Sequence, residues 1–207
     1  MRPVLLAFGG KPRHGKSSAA EAITERFKAR VLSISELIAA ELGLKREEIK
    51  DLSVLQKHSH ARCKRDCFYW ARQIHRQAML ANGETQIVIC PNLRRLDEAE
   101  YLAARGWHLA RVIALNEDGS LYTPTNDGRD LNDPLETQLD NYNWDYRLIS
   151  RKPGGLLWLR QQAIALAEYL LSGGEAALAG VDHPGLSWVA GSAAVNDSDA
   201  TAFKEAS

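Results

Sequence analysis

Residues 10–17 read Gly10-Lys11-Pro12-Arg13-His14-Gly15-Lys16-Ser17, and this stretch decides the fold. It follows directly on the apolar run Val4-Leu5-Leu6-Ala7-Phe8 and leads into a helical pattern from about Ser17 to Lys28, with Ala20, Ile23 and Phe27 on one stripe. Strand, GxxxxGKS, helix is the arrangement of a phosphate-binding loop. The glycines let the chain turn so that successive backbone N–H groups point inward, and the helix adds the partial positive charge of its N-terminus. Lys16 is expected to reach the β- and γ-phosphates of a nucleotide, and the Ser17 hydroxyl to bind Mg²⁺. The expected ATP-binding set is Gly10, Lys11, Pro12, Arg13, His14, Gly15, Lys16, Ser17 and Ser18. A chance match in a surface turn would lack the flanking elements, and here both are present.

Working outward, a second strand is expected at Arg30 to Ile34, then a short helix capped by Ser35, carrying Leu37, Ile38 and Leu42 and stopped by Gly43. Lys57 to Leu80 reads as one long helix closed by Asn82-Gly83. Gln86 to Cys90 is a buried-type strand, Asp97 to Arg105 a helix ended by Gly106, and His108 to Leu115 another strand. A polar stretch follows to Pro134, long enough to be a functional loop or lid. Tyr146 to Ile149 is the last strand, and Leu156 to Leu171 an apolar helix that closes the sheet. Alternation of strands and helices calls for a five-stranded parallel sheet with helices on both faces, the three-layer P-loop NTPase/kinase fold. Residues 1–172 are expected to form that domain. Residues 173–207 turn to Gly, Ala, Ser and Asp without periodicity, and are expected to be a mostly disordered tail unless the island around Trp188 docks on the domain.

The chain has 207 residues, 45% of them apolar, which suffices for one α/β domain with a core and not for a second. Its 26 basic and 26 acidic residues cancel, so contact with nucleic acid would come from a local patch rather than a global field. No signal-peptide pattern or membrane-length apolar run is visible, and the three cysteines, Cys63, Cys67 and Cys90, are an odd number; a reducing cytoplasm is expected, with no membrane partner. Oligomeric state is not legible.

In an open parallel sheet the reactive groups gather beyond the C-terminal strand ends. After the second strand come Ser33, Ser35 and Glu36. Glu36 has two readings: a base that takes the proton of an attacking hydroxyl, or an acid placed in a first helical turn by the dipole. After the third strand come Arg94 and Arg95, and a guanidinium there can stabilise charge on a transferred phosphoryl group, with Arg94 the first choice. The helix around residues 57–76 carries Lys57, Arg62, Lys64, Arg65, Arg72 and Arg76 against the single acid Asp66, interleaved with Phe68, Tyr69 and Trp70. Such a face holds phosphates while aromatics stack on a base, or else is a solvated face over a core stripe. The expected acceptor-binding residues are Arg65, Trp70, Arg72 and Arg95. His60, Cys63 and Cys67 fall at i, i+3 and i+7, which brings zinc to mind, but without a fourth ligand they read as ordinary thiols and a surface histidine. Tyr122, Arg129 and Asp130 in the polar loop are candidates to close over a nucleotide.

The loop, the run Phe68-Tyr69-Trp70-Ala71-Arg72, Arg94 followed by Asp97-Glu98-Ala99-Glu100-Tyr101-Leu102, and Leu139-Asp140-Asn141-Tyr142-Asn143-Trp144-Asp145-Tyr146 together resemble the bacteriophage deoxynucleoside monophosphate kinase group of the P-loop kinases, over about residues 3 to 171. The resemblance implies a kinase using ATP and Mg²⁺ on a nucleotide or DNA acceptor; the expected catalytic residues are Lys16 and Arg94, with Glu36 from its place after the second strand. Two departures stand out. Ser17 replaces the aspartate common at the end of that group's loop, and Asn92-Leu93-Arg94 replaces its Asp-x-Arg. Glu36 is placed like the carboxylate of polynucleotide 5'-hydroxyl kinases. A monophosphate acceptor needs no base, whereas an alcohol is helped by one. Phage kinases of 5-hydroxymethyluracil in DNA would combine such a hydroxyl with a basic, aromatic helix, and that acceptor is narrowly preferred to a free deoxynucleoside monophosphate. A P-loop ATPase or switch is the other class; an NKxD motif for guanine is missing from the sequence.

Overall fold

The computed structural model describes residues 2–49, 51–123 and 137–173. In chain order it contains β1 (Val4–Gly9), α1 (Lys16–Arg26), β2 (Ala29–Val31), α2 (Ile34–Glu41), α3 (Leu52–Cys63), α4 (Tyr69–Met79), β3 (Ile87–Leu93), α5 (Leu96–Ala103), β4 (His108–Leu115), β5 (Tyr146–Arg151) and α6 (Leu156–Leu171), with a 3-10 turn Arg46–Glu48 before α3. The five strands are parallel and ordered β2-β3-β1-β4-β5.

β1 is apolar along its whole length because both its faces are covered, as in parallel sheets generally. Leu5 and Ala7 face one layer, where Ile34 and Ile38 of α2, Trp70 and Ile74 of α4, and Ala99 and Leu102 of α5 pack with Val88, Cys90 and Leu109. Leu6 and Phe8 face the other, where Ala19, Ala20 and Ile23 of α1 meet Leu159, Ala163 and Leu166 of α6 over Ile87, Ile89, Val112 and Leu148. The result is the three-layer α/β architecture of P-loop and Rossmann-like nucleotide-binding folds. β1 exits into α1 on one face and its neighbour β3 exits into α5 on the other, which opens a crevice beyond their C-terminal ends.

Several boundaries differ from the sequence reading, among them the start of α3, at Leu52 rather than Lys57. The single helix expected from Lys57 to Leu80 is two helices, α3 and α4. Asp66 breaks it: its carboxylate accepts from the Phe68 N–H (3.2 Å) and pairs with Arg72, while its carbonyl accepts from the Tyr69 N–H (3.0 Å), an Asx turn that redirects the chain. β2 is shorter than expected and Ser33, not Ser35, precedes α2. The Ile34 N–H there donates to the Asn92 side chain (3.1 Å), so the cap comes from β3. β3 runs on past Cys90 to Leu93. Its register with β1 slips between Ala7 and Gly9, opposite Pro91, which has no N–H to give the ladder. Arg129 and Asp130, the rest of the polar loop at 124–136, and the tail from residue 174 with Trp188 lie outside the described residues. Among the described residues no helix is long and apolar enough to cross a membrane.

Candidate functional site

The loop after β1 is shaped by its backbone. Gly10, Arg13 and Gly15 have φ of 128°, 58° and 103°, which curls the segment tightly. A Cβ on Gly10 would overlap the Val112 carbonyl oxygen and one on Gly15 would overlap Leu159, so glycine is required at both positions by space as well as by φ. The Lys16 ammonium donates to the Gly10 carbonyl (2.6 Å) and the Lys11 carbonyl (2.7 Å), which holds its charge over the mouth of the loop. α1 begins here with Gly15 as its cap and no side-chain capping bond. Its first intrahelical donor is Ala19 N–H, to Gly15 O (2.9 Å), so the amides of Lys16, Ser17 and Ser18 precede the ladder. Amides, dipole and ammonium together make an arrangement that can take a phosphate. Ser17 is exposed in that first turn. The Ser17 hydroxyl would hold Mg²⁺ as an oxygen ligand; among the described residues no group of three or more His, Cys, Asp or Glu could hold a metal by itself.

His14 is the loop's anchor. It is 2% exposed, its Nδ1 accepts from the Ala114 N–H (3.2 Å) and its Nε2 donates to the Tyr122 carbonyl (2.9 Å). In the neutral ring those two bonds put the proton on Nε2; Nδ1 also lies 3.3 Å from the Val112 carbonyl, to which it donates only when the ring is charged. Burial, helped by the charge of Lys16, brings its pKa down to about 4. Tyr122 thus meets the loop through its backbone.

Across the crevice stand residues from distant stretches. Lys11 and Gly10 form one wall; Arg94 after β3, Arg111 of β4, and Asp140 and Trp144 before β5 form the other, over Leu93 and Leu139. Arg111 is 6% exposed and sits beside Gly9 in the β1–β4 register. Its guanidinium donates to the Asp140 carbonyl (2.9 Å) and to Asp140 Oδ1 (3.2 Å), while Asp140 Oδ2 pairs with Lys11 Nζ at 3.2 Å. The Trp144 ring lies against Gly9, where a Cβ would overlap it. Neither Arg111 nor the ion pairs of Asp140 are anticipated by the sequence reading. The available signal is a charge in the middle of an otherwise apolar strand.

Of the expected residues, Arg94 is in the crevice, beside the loop. Its N–H and that of Arg95 approach Glu98 Oε2 (3.5 and 3.3 Å); Glu98 is 2% exposed, and burial pushes its carboxyl up to about 7 against those two amides. The Arg95 guanidinium is held in two bonds by Asp97 (2.9 and 2.7 Å). Glu36 is exposed in the first turn of α2 and does not line the crevice. Asn92 bonds the start of that helix and the Ser33 hydroxyl (3.2 Å). Trp70 is 1% exposed in the core, so its ring serves packing rather than stacking on a ligand, and Arg72 pairs with Asp66. Arg65 is exposed in the α3–α4 turn. Part of the basic face is also paired: Glu41 accepts from Arg62, and from His58 (3.2 Å) and Tyr69 (3.2 Å) beside it. α3 ends at Cys63, so Cys67 does not continue its face. Cys63 is buried, and that burial raises its thiol pKa.

No family model matches this chain, and no curated protein matches it either.

Proposed function

We propose that the chain is an ATP-dependent phosphotransferase whose acceptor is a nucleotide-type molecule, residues 1–172 forming the kinase unit. The observation that carries this is Lys16, fixed by the Gly10 and Lys11 carbonyls inside a GxxxxGKS loop whose Gly10 and Lys11 line the crevice where β1 and β3 part. In this reading residues 10–18 bind the triphosphate, Lys16 neutralises charge as the γ-phosphoryl group leaves, and Arg94 meets that group from the opposite wall. Ser17 would hold Mg²⁺, which supplies further charge neutralisation when bound.

The acceptor of first choice is a hydroxyl, that of 5-hydroxymethyluracil in DNA, supported by a carboxylate, Asp140, in the crevice beside the loop. A deoxynucleoside monophosphate is the second reading, supported by the cations Lys11, Arg94 and Arg111 around the same space. Incubation with γ-labelled ATP and either hydroxymethylated DNA or a mixture of monophosphates tests both. Label in DNA supports the first, label in diphosphates the second, and label in free phosphate alone favours an ATPase or switch.

A further inference from the structure

We propose that Asp140, rather than Glu36, takes the proton from the attacking nucleophile; this rests on the phosphotransfer reading above. In that step the acceptor oxygen bonds to the γ-phosphorus, the bond from that phosphorus to the β,γ-bridging oxygen breaks, ADP leaves, and the hydroxyl proton passes to a base. The base has to stand on the acceptor side, within hydrogen-bond reach of the nucleophile.

Asp140 occupies that side. Lys16 Nζ holds the Lys11 carbonyl at 2.7 Å, and Lys11 Nζ holds Asp140 Oδ2 at 3.2 Å, so one residue separates the carboxylate from the ammonium that faces the phosphates. Arg111 fixes Asp140 at both its backbone carbonyl (2.9 Å) and Oδ1 (3.2 Å), which sets the direction of the carboxylate without filling it. A carboxylate offers about four lone-pair positions, and these two cations engage one on each oxygen. Among the described residues, Asp97, Glu98, Asp145 and Glu36 do not line the crevice. Asp97 is bound to Arg95 and Glu98 to the Arg94 and Arg95 amides. Asp145 accepts from the Leu109 N–H (2.8 Å).

Water entering in place of the acceptor meets the same base, so the test needs no acceptor. In the full chain, MgATP hydrolysis is measured across pH for the parent, Asp140→Asn, Asp140→Glu and Glu36→Gln, alongside MgATP binding by calorimetry. Asp140→Asn, which keeps an oxygen for Arg111, is expected to slow hydrolysis by about 10²- to 10⁴-fold and to abolish the fall in rate at low pH. MgATP affinity should stay within about two-fold, Asp140→Glu should restore the acid limb, and Glu36→Gln should keep it. The proposal is overturned if Asp140→Asn hydrolyses within about three-fold of the parent. An acid limb that survives in Asp140→Asn, or that is lost in Glu36→Gln, overturns it too, as does loss of MgATP binding in both Asp140 variants, which would make the residue a structural support. A parent that binds MgATP yet neither hydrolyses it nor transfers phosphate overturns the phosphotransfer reading itself.

Discussion

On the β1 side of the crevice the wall is Gly10 and Lys11, the start of one unbroken loop that runs on to Ser18; on the other, Arg94, Arg111, Asp140 and Trp144 come from separate parts of the chain. The first wall is set by backbone dihedrals and by glycines pressed against Val112 and Leu159, with one ammonium bonded to main-chain oxygens. The second is set by side chains in ion pairs, Asp140 with Arg111 of its own wall and with Lys11 of the first, Lys11 and Asp140 each being about one-fifth exposed. The partly exposed Lys11–Asp140 pair contributes about 0.2–1 kcal/mol, so that charge can change without unfolding the domain, whereas Arg111 is buried and is the fixed point of the wall. A wall built from backbone suits what every P-loop protein binds, the phosphates. A wall built from exchangeable charges suits what distinguishes one such protein from another, the acceptor.

The sharpest way to break this division is to remove one cation from each wall. Lys16→Ala is expected to lower both hydrolysis and transfer by on the order of 10³-fold or more, the loss of several kcal/mol of transition-state stabilisation. Arg94→Ala is expected to lower kcat/KM for the acceptor by roughly 10- to 10²-fold while calorimetry shows unchanged MgATP affinity. If Arg94→Ala weakens MgATP binding as much as Lys16→Ala does, the walls do not divide donor from acceptor.

Protons offer a second comparison, because each wall hides one titratable group with the opposite sign. His14 titrates at about 4 in the folded protein against 6.5 in an exposed histidine. The unfolded chain therefore binds more protons in that interval, and stability is lost as pH falls through it. Glu98 titrates at about 7 against 4.5 in an exposed carboxyl, so here the folded chain binds the extra proton and stability is lost as pH rises through that interval. Displacements of this size correspond to about 3 kcal/mol each, so between pH 4.5 and 6.5 the two contributions nearly cancel. Urea titrations across that window should show His14→Gln losing stability with rising pH relative to the parent, and Glu98→Gln gaining it. Matching slopes in the parent and both variants would mean that neither group is held as tightly as the folded contacts imply.

The glycine-bent turn after β1 and the parallel sheet are legible in sequence because each rests on local signals: a contiguous motif, apolar runs of strand length, glycines after helices. The facing wall is not, because its contacts are long-range. Arg111 and Asp140 are 29 positions apart, and nothing in either neighbourhood announces the other. Within an apolar strand a lone arginine reads as tolerated, and only the register beside Gly9 reveals that it looks into the crevice. Asp66 is a similar case. In a run of basic residues it reads as one acid on a helix, yet its bonds to the Phe68 amide and Arg72 end one helix and start another. The phase of the new helix then puts Trp70, expected at the acceptor, in the core and leaves Phe68 outside.

The smallest effect is expected farthest from the loop, in the turn between α3 and α4. Arg62 and Arg72 are neutralised by Glu41 and Asp66, whereas Lys64 and Arg65 are exposed in the turn itself. If the acceptor is a polymer, these two are the cations of that region best placed to meet its phosphates. Lys64→Ala with Arg65→Ala should then reduce the slope of log affinity against log salt by about 2, since each lost phosphate contact changes it by roughly 0.9. DNA binding should weaken by about ten-fold or less at moderate salt, with MgATP binding unchanged, because the first wall is untouched. An unaltered salt slope would remove this turn from acceptor recognition and leave the choice of acceptor to the charges around Asp140, where a free nucleotide fits as well as a strand.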